Sequence, residues 1–146
     1  MDNLFPGWNA ERAGRLISLE WISMYSSQLL DHFQNPRNAG DLAQADAVAE
    51  IENPVCGDVV RLSIKMKDGR LDQISFKAKG CVPAMACASA LTELAQGMTR
   101  EEARQLRRED VIAAVGGLPP ASSHAAQLAV DVLAAALNQT DRRRDA

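Results

Sequence analysis

Residues 60–81 read VRLSIKMKDGRLDQISFKAKGC, and they decide the fold. Val60, Leu62, Ile64 and Met66 alternate with Arg61, Ser63, Lys65 and Lys67, the period of a strand with one buried face. Asp68-Gly69 is a hairpin turn signal. Ile74, Phe76 and Ala78 then alternate with Ser75, Lys77 and Lys79 in a returning strand. Upstream, Ala47–Glu52 alternates too and predicts a first strand. Three antiparallel strands therefore come first.

Helices follow. Pro83 suits a first helical turn and Gly97 suits a helix end, with Ala84, Cys87, Ala88, Leu91, Leu94 and Ala95 as the apolar stripe between them. Thr99-Arg100-Glu101-Glu102 is a capping box. Another short helix is predicted near Glu109–Val115, stopping at Gly116-Gly117. After the rigid Leu118-Pro119-Pro120, Ser122 or Ser123 caps a last helix to about Asn138. Before the strands, Ser26 or Ser27 caps a short helix that ends at Asn35, because Pro36 follows. Asn35–Gly40 is a loop by its turn chemistry. Strands followed by helices predict an α+β sandwich: a small three-stranded antiparallel sheet with helices on one face.

The organised sequence runs over 24–139. Residues 1–23 read as an N-terminal extension, or as a helix around Arg12–Ile22 that packs on the body. Residues 140–146 read as a charged tail.

With 146 residues the chain suits one domain and buries roughly 70% of its unfolded surface without a disulfide staple. Its 16 basic and 19 acidic side chains leave a net charge of −3, which argues against a general nucleic-acid binder. No apolar run approaches the roughly 20 residues of a membrane helix. Three cysteines, an odd number, make a disulfide framework a poor reading. The N-terminus lacks a secretory apolar region, so the expected compartment is the reducing cytoplasm, where cysteines bind metal or do chemistry.

Cys56, Asp58, Cys81 and His124 stand out, each at a junction between elements. Cys56-Gly57-Asp58 turns into the second strand, Gly80-Cys81 joins the third strand to a helix, and His124 opens the last helix. Cys81 just before a helix N-terminus, with Lys79 close in sequence, is expected to favour thiolate. His124 at its own helix start is expected to favour the neutral imidazole that ligates. Gly57 lets the backbone come close to an ion. Two sulfurs, one nitrogen and one oxygen could hold tetrahedral zinc or the protein side of a 2Fe–2S cluster. Cys81 and His124 lie 23 and 66 residues beyond Asp58, which matches no standard zinc-finger spacing.

Other residues have plainer readings. Cys87 lies on an apolar stripe and reads as a core thiol, since six residues from Cys81 is about 9 Å of helical rise on a different face. His32, followed by Phe33 on a short helix, reads as a surface or packing residue rather than a ligand. All four lysines, Lys65, Lys67, Lys77 and Lys79, share the hairpin. They read as a solvated sheet face or as a docking patch for an acidic partner. No serine–histidine–acid motif supports a hydrolase.

Taken in order, several motifs resemble the N-terminal IscU/NifU family of iron–sulfur cluster assembly scaffolds. They are Tyr25-Ser26, Leu30-Asp31-His32-Phe33, Asn35-Pro36-Arg37-Asn38 with Gly40, and Pro54-Val55-Cys56-Gly57-Asp58. Phe76-Lys77-Ala78-Lys79-Gly80-Cys81 follows, with Ala84, Ala86 and Ser89, then Leu118-Pro119-Pro120 and Ser123-His124. The resemblance spans roughly 24–138. It implies the family's α+β sandwich and a scaffold that builds and hands on a cluster, rather than a catalyst of turnover. It implies that Cys56, Asp58, Cys81 and His124 surround a transient 2Fe–2S cluster or a zinc ion. A cysteine desulfurase and apo acceptor proteins are the implied partners, and a zinc-binding sulfur relay is the alternative role.

Two departures bear on this. The family usually has a third cysteine directly after the histidine, both ligand and sulfur acceptor, and this chain has Ala125. The family's chaperone-binding loop continues with valine and lysine after Leu-Pro-Pro, where this chain has Ala121-Ser122. That weakens the expectation of a chaperone at Leu118-Pro119-Pro120.

Overall fold

The computed structural model describes residues 25–145; the extension expected at 1–23 lies outside the described residues. Helix α1 (Ser27–Gln34) comes first, then strands β1 (Ala47–Glu52), β2 (Val59–Lys67) and β3 (Arg70–Lys79). Helices α2 (Val82–Ala95), α3 (Arg100–Arg104) and α4 (Arg108–Ala114) follow, then a 3-10 turn (Pro120–Ser122) and α5 (Ser123–Asp145).

The strands form one antiparallel sheet in the order β1-β2-β3. Directly opposed residues share a face, so the register builds three apolar rows: Ala47–Ile64–Ile74, Ala49–Leu62–Phe76 and Ile51–Val60–Ala78. Helix α2 packs on β3, and α5 packs on β1 and β2. Leu91, Val132, Leu133 and Leu137 join the strand rows in one buried core. The opposite rows carry charge. Arg61 Nε bonds Glu50 at 3.1 Å, and Lys77 Nζ pairs with Asp41 at 2.9 Å. Lys77 and Lys65 are half-buried and Lys67 and Lys79 exposed, so the lysine face is only partly solvated.

The far edge of β3 is covered by the loop after α1. Phe76 N donates to Asn38 O (3.0 Å), and Gly40 N donates to Phe76 O (2.8 Å). Covering an edge in this way removes a template for unwanted strand pairing.

Several boundaries fall where local chemistry puts them. Ser26 Oγ accepts from Leu29 N at 2.9 Å and caps α1. Thr99 and Glu102 complete the capping box of α3. Helix α2 differs from its expected stripe. Ala86, Ser89, Ala90 and Thr92 are buried as well, because α1 and the 35–40 loop pack against it from the other side. Helix α5 runs past the expected end at Asn138 and takes in most of the presumed tail. Side chains from α3 hold it there. Arg100 is buried, donates to Thr140 Oγ1 through Nε and Nη2 (3.1 and 3.0 Å), and pairs with Asp141 at 3.0 Å. Gln139 adds bonds to both the N–H and C=O of Val48.

Candidate metal centre

The β2–β3 ladder ends with Val59 opposite Lys79, which brings Asp58 alongside Gly80. Asp58 is only 2% exposed. It fits because Gly80 has no side chain: a Cβ there would lie 2.0 Å from Asp58 Oδ1 and 2.9 Å from its Cα. Gly80 also has φ +140°, which disfavours any other residue. Upstream, Asn53 folds the turn. Its side-chain oxygen accepts from Val55 N (3.0 Å) and its backbone oxygen from Gly57 N (2.7 Å). Gly57, at φ +74°, reverses the chain and leaves Cys56 exposed.

Both oxygens of Asp58 are used. Oδ1 accepts the backbone N–H of Cys81, the N-cap of α2, at 3.0 Å. Oδ2 accepts from the Cys81 thiol at 3.3 Å and lies 3.6 Å from His124 Nε2. His124 Nε2 is in turn 3.5 Å from Cys56 Sγ. On its other side, His124 Nδ1 faces the carbonyl of Ala121 at 3.2 Å. A carbonyl only accepts, so the network assigns the proton to Nδ1 and leaves the Nε2 lone pair facing the site.

All four sequence-selected residues thus meet at one end of the sheet. Donor atoms of Cys56, Asp58 and His124 lie within 4.8 Å of one another, and Cys81 joins through Asp58. The donor set of two sulfurs, one nitrogen and one carboxylate oxygen suits zinc or thiolate-bound iron.

The thiolate expected at Cys81 is not found. Burial raises its pKa to about 11, and the hydrogen bond and charge of Asp58 push the same way. An N–H of the α2 start, from Ala84, does act to lower it, as a helix N-terminus should, but burial outweighs this. A metal ion would displace that proton, since the thiolate is the ligating form. Cys87 is fully buried in the core, and burial pushes its thiol up to about 12, in line with its reading as a core residue. Ala125 is 1% exposed, with its side chain in the core beside His124.

His32 proves to be a buried packing residue with specific partners. Arg37 N donates to Ser89 Oγ (2.9 Å), and His32 Nδ1 lies 2.8 Å from the same oxygen. Two contributions escaped sequence reasoning. Gly80 looked like a strand end, although a glycine directly before a candidate ligand is the signal of a close approach. Tyr25, whose pKa burial raises with the help of nearby Cys81, stands close to the site as well.

The fold and site define a small α+β domain that gathers a mixed sulfur, nitrogen and oxygen donor set at one sheet end. Residues 24–146 match the NifU-like N terminal domain family, and the chain belongs to it. It is 47% identical over 114 residues to "Iron-sulfur cluster assembly scaffold protein IscU 1" of Archaeoglobus fulgidus, covering 78% of this chain and 74% of that protein. It is 37% identical over 115 residues to "Iron-sulfur cluster assembly scaffold protein IscU" of Aquifex aeolicus, covering 77% and 73%. The crystal structure of a NifU-like protein N-terminal domain from Brucella abortus superposes with a TM-score of 0.66 at 24% identity, over 80% of this chain and 94% of that one. No helix among the described residues is long and apolar enough to cross a membrane.

Proposed function

We propose that this protein is a scaffold on which an iron–sulfur cluster is assembled and then passed to apo acceptor proteins. The observation that carries this is the convergence of Cys56, Asp58, Cys81 and His124 around a buried carboxylate. Membership of a family whose relatives are scaffolds supports it. The cargo is a 2Fe–2S cluster held by these four residues. Two thiolates supply the soft ligands iron–sulfur chemistry needs, and Asp58 and His124 supply harder, more exchangeable ones. A cluster with two cysteines rather than four is labile, which suits a protein that gives it away. The protein binds and transfers rather than turning over a substrate, and it works in the cytoplasm. Its sulfur comes from a cysteine desulfurase.

Anaerobic reconstitution with ferrous iron and sulfide tests this. Expected are visible charge-transfer bands with near-equal iron and sulfide, lost in Cys56→Ala and in Cys81→Ala. A wild-type protein without bands sinks the reading, as does a cluster that survives long exposure to apo acceptor.

The second reading is a zinc-binding sulfur relay. The close approach of the Cys56, Asp58 and His124 donors favours it, because that spacing suits a single ion. Stoichiometric zinc in the protein as purified, with desulfurase activity that rises on its addition, would select it.

A further inference from the structure

We propose that the outer edge of β1 is a docking site where an extended segment of a partner protein adds as a fourth strand, with lysine or arginine at alternate positions. The binding rests on the edge alone, and only its use by an apo acceptor rests on the scaffold reading.

The two edges of the sheet are finished differently. The β3 edge is closed by the loop after α1, through Asn38 and Gly40. β1 is the other edge, with β2 as its one strand partner. Two sets of bonds fix the direction of its backbone groups. Asn53 N donates to Asp58 O at 2.8 Å, so Asn53 faces β2. Val48 N donates to Gln139 Oε1 at 3.2 Å, and Gln139 Nε2 donates to Val48 O at 2.8 Å, so Val48 faces outward. Successive residues alternate in this respect, so Glu50 and Glu52 face outward with Val48. Gln139 fills the outward position at Val48 with a side-chain amide, the same donor and acceptor that a neighbouring strand would offer. Among the described residues, no group hydrogen-bonds the N–H or C=O of Glu50 or Glu52 on that side. An edge left open in this way is a template for strand addition.

Charge selects the occupant. Glu50 and Glu52 are exposed and share a face with Val48, itself 46% exposed. Arg61 pairs with Glu50 at 3.1 Å, whereas Glu52 makes no ion pair among the described residues. Burial raises the Glu50 pKa and the charge of Glu52 adds to it, so the two acids repel each other. A residue placed directly opposite either glutamate exchanges both backbone bonds with it and sets its side chain on the same face. Lysine or arginine there relieves the repulsion. A second copy of this chain, paired β1 to β1 across the open positions, would set glutamate against glutamate instead. The position of the edge also gives the added strand a use. Glu52 leads directly into the 53–56 loop, so the strand ends beside Cys56, where an acceptor's own ligands are needed.

The test uses the full chain at low salt with the synthetic peptide Thr-Lys-Val-Lys-Thr-Lys-Val as the probe, read by titration and by amide exchange. Saturating peptide is expected to slow exchange at Glu50 and Glu52 at least about tenfold and to leave Phe76, at the closed edge, unchanged. The same peptide with glutamate for lysine is expected not to bind. Nor is a peptide methylated on the backbone nitrogens of its lysines, which keeps the charge and removes the N–H groups. Glu52→Lys is expected to weaken binding about threefold or more. A methylated peptide that binds as tightly as its parent would overturn the proposal, because charge alone would then account for binding. Equal affinity in a folded Glu52→Lys protein would overturn it too. So would a dimer that protects Glu50 and Glu52 without peptide, since a second copy would then occupy the edge. The same preparation is given ferrous iron and inorganic sulfide in the absence of peptide. Cluster bands without peptide binding mean that the docking assignment fails alone. Peptide binding without bands means that the scaffold reading fails and the docking edge stands.

Discussion

Asp58 is buried at the end of β2, yet neither of its oxygens lacks a partner. One holds the N–H of Cys81, the N-cap of α2, and the other faces a thiol and an imidazole. That arrangement keeps Cys81 protonated in the metal-free protein, and burial of the sulfur is the larger cause. Asp58→Asn removes the negative charge while roughly keeping the shape. The Cys81 pKa should then fall from about 11, and its alkylation rate at mildly alkaline pH should rise. An unchanged rate would mean that burial acts alone. Cys87 gives the contrasting case, a thiol with no exposed surface. Cys87→Ala should cost about 1 kcal/mol of stability, the scale of losing one buried heavy atom, and leave cluster reconstitution intact. A Cys87→Ala protein that folds but assembles no cluster would show that the core reading of this residue is wrong.

Elements in this fold hold each other through a few long-range polar contacts. The end of α5 has no apolar reason to continue beyond Asn138, where the sequence turns polar and charged. It continues because Arg100 and Arg104 of α3 reach Thr140, Asp141 and Asn138. Arg100 is the buried member, and its loss removes its bonds to Thr140 and Asp141. Arg100→Ala should destabilise the protein by about 1–3 kcal/mol, the range for a buried charged hydrogen-bond donor. Amide exchange should speed up beyond Asn138 and stay unchanged in β2. Uniform acceleration across the chain would instead point to a global core defect. A similar logic holds at α2, whose small residues let α1 and the following loop pack close on one side and β3 on the other. The apolar stripe visible in the sequence left out Ala86, Ser89, Ala90 and Thr92, which are buried too.

At the scale of the whole molecule, His32 ties α1, the 35–40 loop and α2 together through Ser89. Burial lowers its pKa below the ordinary value of 6.5, with Arg37 adding to the effect and Glu93 and Asp31 opposing it. A histidine held neutral in the folded state contributes stability that is fully present above its unfolded pKa. As pH falls below 6.5 the unfolded chain takes up a proton that the folded one resists, so this contribution is lost through the folded pKa and then levels off. Urea unfolding should therefore show stability declining from neutral to mildly acidic pH, with a shallower decline in His32→Gln. Equal slopes in both proteins would remove His32 as the cause. The strands, the cap of α1 and the capping box of α3 could be read in advance because each depends on near neighbours in the chain. Alternation, turn residues and caps act within a few residues. The four candidate ligands could be read by residue type and by their junction positions. Their convergence could not, because it depends on contacts between residues 23 to 68 positions apart. The seat that Gly80 leaves for Asp58, the proton retained on Cys81 and the length of α5 had the same origin. The sequence by itself determined which groups could bind metal and which segments would be strands and helices, since local sterics and periodicity govern both. Only the tertiary structure decided which thiol is open and which is caged, because burial and charge are set by what packs around each sulfur.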